Sequence, residues 1–278
     1  MKIKFVIYFF IFLLLAGFSQ YNYDSKRNYF EKRNVFLTLP KGKTLKILSF
    51  GYQNFVADML FIWSIQFYSD YNILNSYDYI EHVYDVITDL NPKYREPYFI
   101  GALIMAYEAK KPESSIRLLE KASKNMPKEW IFYYEAAYYA LKFLNDKDLA
   151  EELFSKAAEK PGAPSFIKRK IAHIIFMKND LKTAFAMWLE IYKKAKTQVE
   201  KDAGYKHLYE IKAEMDMNLL EKKIEEYRKL YGRNPSSLHE LVRKGLIREV
   251  PKDFAGDEYI YDSRTGKVKS KQRYKWKR

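Results

Sequence analysis

An internal period of 34–35 residues constrains this chain more than any other feature. Ile80, Ser115, Ala150 and Ala184 follow one another at steps of 35, 35 and 34, and Tyr84, Leu119, Phe154 and Trp188 keep the same steps. So do Ile87, Ala122, Ala157 and Ile191. Earlier in each unit, Trp63, Tyr98, Tyr133 and Ile167 fall in phase, as do Phe67, Ala102, Ala137 and Ile171. Pro92, Pro127 and Pro161 close three of the units. A fixed period of this length marks a repeat architecture, in which each unit is one supersecondary element that cannot bury its apolar face alone. Ala150, Phe154 and Ala157 are spaced i, i+4, i+7, one stripe of a helix. Small residues on such a stripe let a neighbouring helix approach, and the large one fills the gap. The proline that follows lacks an N–H, clashes with the preceding turn and ends the helix. Lys111-Pro112-Glu113, Asn145-Asp146-Lys147 and Asn179-Asp180 are turn-prone and separate the two helices of a unit. Each unit is therefore expected to be a helical hairpin. The low Gly and Pro counts, 10 and 9, agree with long helices rather than a strand-and-turn fold.

The order of residues in each unit resembles the tetratricopeptide repeat. Tyr98, Ala102, Ser115, Leu119, Ala122 and Pro127 match one copy, and Tyr133, Ala137, Ala150, Phe154, Ala157 and Pro161 match the next. Ile167, Ile171, Ala184, Trp188 and Ile191 form a weaker third, and Trp63, Phe67, Ile80, Tyr84, Ile87 and Pro92 a divergent first. The resemblance covers about half the chain. It implies an all-α fold, a right-handed solenoid of about four helical hairpins over residues 51–197. It also implies a scaffold that holds a peptide or partner protein in a concave face. The repeat core is expected to include Trp63, Tyr98, Tyr133, Ala150, Phe154, Ala157, Ala184 and Trp188.

The two ends of the chain have a different texture. Lys2 and Lys4 precede an apolar run from Phe5 to Phe18, and polar residues follow it. This is the shape of a secretory signal. Residues 1–20 are read as a signal anchor or signal peptide and 21–50 as a juxtamembrane linker. The location this implies is the cell membrane, with a single N-terminal helix as anchor and a periplasmic or extracytoplasmic body. After the repeats, residues 198–230 read as a long capping helix carrying Leu208, Ile211, Met215, Leu219, Ile224, Tyr227 and Leu230. Residues 231–270 read as a small α+β segment. Ser237 with Glu240 suits a capping box, Gly245 a helix stop, and Tyr259-Ile260-Tyr261 with Lys267-Val268-Lys269 a hairpin. Tyr231, Pro235, Leu238, Leu241, Gly245, Pro251, Asp253, Gly256, Tyr259 and Tyr261 stand in the order seen in type II secretion major pseudopilins, which this segment resembles over about 35 residues. That family's processing site and helical stem are missing here. Acidic loop residues near the pseudopilin hairpin can bind calcium. Asp253, Asp257 and Glu258 lack a defined ligand spacing, and solvated loop acids are the better reading.

The net charge is +14, of which eight basic residues lie between Arg264 and Arg278 with no acid among them. Residues 271–278 read as a basic tail able to touch anionic lipid; no nucleic-acid partner is expected. Cysteine is absent, which excludes disulfides, thiolate metal sites and a Cys nucleophile. The four histidines, His82, His173, His207 and His239, have no partner at metal-ligand spacing. No His-Glu-x-x-His, nucleophile elbow or phosphate-binding glycine loop occurs. The chain reads as a non-enzymatic protein-binding scaffold of the cell envelope without metal or cofactor. The alternative is an accessory factor of a pilus or type II secretion machine. Candidate partner-binding residues lie on the first helix of each unit: Tyr94, Tyr98, Tyr134, Tyr138, Lys168 and His173. Asp58, within an apolar stretch, is expected to be buried with a partner.

Overall fold

The structure is a computed structural model that describes residues 14–19, 21, 39–69 and 77–272. Among these residues the chain is mostly helical, with one two-stranded ribbon, so the all-α class holds. It divides into two compact units. One comprises residues up to 128 together with 142–144, and the other 129–141 together with 145 onward.

In the first unit, helices α1 (Gly42–Leu48), α2 (Gln53–Tyr68), α3 (Ile80–Leu90), α4 (Arg95–Tyr107) and α5 (Pro112–Asn125) pack mainly with their neighbours in sequence. Helix α3 sits at the centre, against α1, α2, α4 and α5. Its Ile80, Val83, Tyr84, Ile87 and Leu90 are all buried. Gly101 of α4 lies against Tyr84, and a Cβ there would come within 2.5 Å of the ring. Two hydroxyls that this close packing buries find partners. Ser115 donates to the Ala102 carbonyl at 2.8 Å, and Ser64 to the Phe61 carbonyl at 2.7 Å. Unpaired, each would oppose folding.

The second unit begins with α6 (Trp130–Tyr139), which continues into a π-helical turn at Ala140–Leu144 whose last three residues count with the first unit; α7 (Lys147–Ala158), α8 (Phe166–Met177), α9 (Leu181–Lys194) and α10 (Gln198–Tyr231) follow. Each packs on the next: α6 on α7, α7 on α8, α8 on α9, α9 on α10. Asp146 and Asp180 cap α7 and α9 by accepting the amides of Leu149 and Thr183. This is the side-chain capping that Asp favours at helix starts.

The periodic positions share a fate across both units. Ile80, Ser115, Ala150 and Ala184 are fully buried; Tyr84, Leu119, Phe154 and Trp188 are buried too. Ile87, Ala122 and Ala157 follow them inward, whereas Ile191 is half-exposed. Trp63 and Tyr133 are half-buried rather than central. A second periodicity emerges in the backbone. Lys110, Asn145 and Asn179 each adopt positive φ, 55°, 52° and 65°, and each precedes the second helix of a hairpin. Their spacing, 35 and 34, is that of the repeat.

The C-terminal part of the second unit is built on α10, which runs from Gln198 to Tyr231 as the sequence indicated. Helix α11 (Leu238–Arg243) and strands β1 (Ile260–Asp262) and β2 (Lys267–Lys269) pack against it. The strands pair antiparallel, Tyr261 opposite Val268. Tyr209, Leu220, Ile224, Tyr227, Leu238, Leu241, Tyr259 and Val268 make its core. The expected stripe on α10 needs correction: Leu219 and Leu230 are exposed, and Leu220 is the buried residue. The capping box is corrected as well. Ser237 makes no cap bond; Glu240 instead accepts the Ser236 amide and hydroxyl at 2.6 and 2.8 Å.

The expected membrane anchor and cell-membrane location are not upheld. Among the described residues no helix is long and apolar enough to cross a membrane. Residues 14–19 are helical, but 1–13 and 20 of the expected anchor lie outside the described residues, as do 273–278 of the basic tail. Asp58 also requires correction. It lies on the exposed side of α2, near Tyr94.

Candidate functional site

The six candidate residues fall in two groups, one in each unit. In the first, Tyr94 precedes α4, half-buried, with its ring edge-on to Phe61 at 5.4 Å. Burial, then the neighbouring Asp58 and Glu96, hold its hydroxyl above the usual range. Tyr98 is wholly buried. Its hydroxyl accepts from Asn125 at 2.7 Å and donates to the Pro92 carbonyl at 3.2 Å. It therefore offers no ring surface to a partner and is a core residue.

In the second unit, Tyr134 is half-buried among aromatic rings, edge-on to Trp130, Phe154 and Phe166 at 5.9, 5.3 and 5.5 Å. Such edge-to-face contacts add to simple area burial. Tyr138 is half-buried beside Tyr139. His173 is half-buried, 6.3 Å from the ring of His207. His207 is buried and stacked on Trp188 at 3.8 Å, the planes 19° apart. Burial, then the neighbouring His173, push the His207 ring down to about 4. Burial, then Lys170, lower His173. Both rings are thus neutral at ordinary pH, and their setting is that of packed core histidines.

Lys168 has a different environment. It is exposed on α8 and lines a cleft of about 380 Å³ with Arg169, Met187, Glu190, Ile191, Lys194, Lys196 and Glu200. The start of α8, the end of α9 and the start of α10 frame this cleft. Met187 and Ile191 give it apolar lining, and its rim carries four cations against two carboxylates. Lys194 pairs with Glu190 at 2.8 Å, and Arg169 with Glu200 at 3.5 Å. Among the described residues Lys168 and Lys196 close no ion pair, so two cations are uncommitted at the rim. Lys194 and then Lys168 hold Glu190 below the usual carboxylate range. Apart from Lys168, none of the cleft's lining was foreseen. Its signal in the sequence is slight: a Lys-Lys-Ala-Lys run at the junction of two helices.

A second groove, of about 500 Å³, lies in the first unit between α3 and α5. Its charges are used internally. Arg117 pairs with Glu81 at 2.7 Å, and Lys121 with both Asp85 and Asp89 at 2.5 Å.

The C-terminal segment gathers buried carboxylates without forming an open site. Asp253 accepts from the Tyr209 hydroxyl at 2.5 Å and from the amides of Ala255 and Asp257, each at 2.9 Å. Burial alone would raise its carboxyl; these bonds outweigh it and hold the group low. Asp257 pairs with Lys271 at 2.9 Å. Among the described residues no cluster of three His, Cys, Asp or Glu stands close enough to hold a metal ion.

No protein-family model matches the chain, and no curated protein matches it in sequence.

Proposed function

We propose that this chain is a helical-repeat scaffold of the tetratricopeptide type that binds a peptide or partner protein. The observation that carries the reading is a double coincidence of phase. Two sets of residues that recur every 34–35 positions, Ile80, Ser115, Ala150 and Ala184 and then Tyr84, Leu119, Phe154 and Trp188, are each buried, and the left-handed turn residues Lys110, Asn145 and Asn179 recur with the same step. Composition alone would not produce that agreement between side-chain burial and backbone conformation. Repeats of this kind form extended surfaces rather than closed active sites. The cleft beside Lys168, apolar inside and basic at the rim, is the part of the second unit that fits an extended acidic peptide.

The test is selection from a displayed peptide library on the full chain, followed by binding titrations with Lys168→Glu and Tyr138→Ala variants. Enriched acidic peptides that lose at least tenfold in affinity on Lys168→Glu support the reading. No enrichment over background, or enriched peptides indifferent to both substitutions, rejects it.

A second reading, as an accessory factor of a pilus or type II secretion machine, rests on the C-terminal segment. There a short helix, a Pro-x-Asp loop and a Tyr-rich hairpin follow one another against a long helix. Deletion of residues 231–278 that leaves secretion and pilus assembly intact would reject it.

A further inference from the structure

In the cleft beside Lys168 both carboxylates are engaged and most of the cations are not. Glu200 serves the start of α10. It accepts the Lys196 amide at 3.0 Å, while the Thr197 hydroxyl accepts the Glu200 amide at 3.2 Å. The pair of bonds resembles a capping box, reaching one residue further back. The Lys196 amide is the first cause that holds the Glu200 carboxyl below the usual range, ahead of Arg169. Arg169 stands 3.5 Å from Glu200, beyond a good hydrogen-bond distance, and both side chains keep partial exposure. Glu190 is closed by Lys194 at 2.8 Å, one helical turn along α9. Three cations of the lining, Lys168, Arg169 and Lys196, therefore share a single weak ion pair among the described residues. They come from the start of α8 and from the junction of α9 and α10. The fold brings them to one cleft, so they are not a charged stripe along one helix.

The rest of the lining bears on the size and character of the ligand. Ala163, Met187, Ile191 and Ala195 supply its apolar part. The volume of about 380 Å³ is at the small end of ligand sites, which span about 300–1,000 Å³. Such a cleft suits one compact charged group with an apolar neighbour better than a long acidic run. A side-chain carboxylate brings one charge and two acceptor oxygens, too little for three cations. A phosphorylated serine or threonine brings a charge of about −1.5 to −2 and three acceptor oxygens. Its hydrogen bonds to Lys and Arg are charge-assisted, the stronger kind.

We propose, building on the peptide-binding reading, that this cleft recognises a phosphorylated serine or threonine next to a large apolar residue. Lys168, Arg169 and Lys196 take the phosphoryl oxygens, and Met187 and Ile191 receive the apolar neighbour.

The full chain is screened at physiological salt against synthetic peptide libraries with a fixed central phosphoserine, glutamate, glutamate pair or unmodified serine, the flanks randomised. Selected peptides are then titrated against the unsubstituted chain and against Lys196→Glu, Arg169→Gln and Met187→Ser. Lys193→Glu is the control. Lys193 is exposed at the end of α9 and outside the lining, and its substitution makes the same charge change as Lys196→Glu. The expected result is phosphoserine peptides that bind at least about tenfold tighter than their glutamate counterparts. Lys196→Glu and Arg169→Gln each remove most of that preference, and Lys193→Glu leaves it. Met187→Ser weakens peptides with leucine beside the phosphoserine and not those with glycine there. Circular dichroism checks that each variant is folded. Should a variant unfold, the ratio between phosphorylated and glutamate peptides on the unsubstituted chain decides. Glutamate peptides that bind as tightly as phosphorylated ones overturn the proposal and leave the acidic-peptide reading standing. Absence of binding by either kind overturns both. A phosphoserine preference that survives Lys196→Glu and Arg169→Gln, or falls equally on Lys193→Glu, also overturns the proposal.

Discussion

The repeat hairpins and the C-terminal segment solve the same burial problem with different chemistry. In the hairpins, apolar stripes meet through alternating small and large residues: Ser115 beside Leu119 and Ala122, Ala150 beside Phe154 and Ala157. Most of the buried hydroxyls bond to carbonyls of the backbone, as those of Ser64, Ser115 and Ser123 do, while Ser114 donates to the Glu81 carboxylate. In the C-terminal segment three tyrosines each donate to a carboxylate, Tyr209 to Asp253, Tyr227 to Glu240 and Tyr259 to Asp216. Repetition explains the difference. A helix packed between two neighbours, as α8 is between α7 and α9, finds apolar area on both sides. A forty-residue appendage with one short helix and a small ribbon has little area, so directional bonds between its parts and α10 take a larger share. Hydrogen bonds to charged groups contribute about 1.5–3 kcal/mol each, more than neutral ones.

The largest expected effect is on the apolar side of that comparison. Phe154→Ala removes a fully buried ring and leaves a cavity, and it is expected to cost about 3–5 kcal/mol in chemical denaturation. Tyr209→Phe keeps the ring and deletes the bonds to Asp253 and Ser270. It is expected to cost about 1–3 kcal/mol. Protease nicking within residues 245–272 should rise, while thermal protection of the hairpins changes little. If Tyr209→Phe instead proves as damaging as Phe154→Ala, the two regions do not differ in the way described.

Acid separates the regions by a different route. His207 is held near 4 in the folded chain and titrates near 6.5 when unfolded. Between those values the unfolded chain binds more protons, so stability rises with pH there and is lost as pH falls from about 6.5 toward 4. The loss is expected to be on the order of 1–2 kcal/mol after allowance for the ring's partial access to solvent. His207→Phe should flatten that limb of a pH series of denaturation midpoints. Asp253 and Glu240 are held below the usual carboxylate range, Glu240 by Arg233 first and then by the Ser236 amide and Tyr227. Their contribution is present above about pH 4 and lost below it, so the C-terminal segment should loosen in the more acidic window.

The smallest effect tests the turns. Lys110 holds φ 55° without the side-chain tolerance that Asn has for this region. Lys110→Gly is expected to raise stability by about 0.5–1 kcal/mol. Asn145→Gly, at φ 52°, should change it by only a few tenths of a kcal/mol, since Asn visits this conformation at little cost.

What the residues alone determined is the periodic part of the molecule: the burial of Ile80, Ser115, Ala150 and Ala184, the turns at Asn145 and Asn179, the extent of α10, and a hairpin near Tyr261 and Val268, though not its register. These are consequences of local spacing, and local spacing is visible in one dimension. Tertiary structure decided everything that depends on which side of a helix meets a neighbour. Tyr98 and Tyr134 have the same ring and both lie on the first helix of a hairpin. One is sealed with its hydroxyl bonded to Asn125, and the other is half-open among Trp130, Phe154 and Phe166. Asp58 was expected inside an apolar run and lies outside, because α2 buries Ala57, Phe61 and Ser64 and leaves Phe55, Met59 and Ile62 to the surface. An almost uniformly apolar helix carries little periodicity from which to read its buried side. The cleft beside Lys168 joins the ends of three helices whose lining residues are up to 37 positions apart, and no local pattern could have assembled it. Chain spacing specifies which residues share a stripe; only packing specifies which stripe is covered.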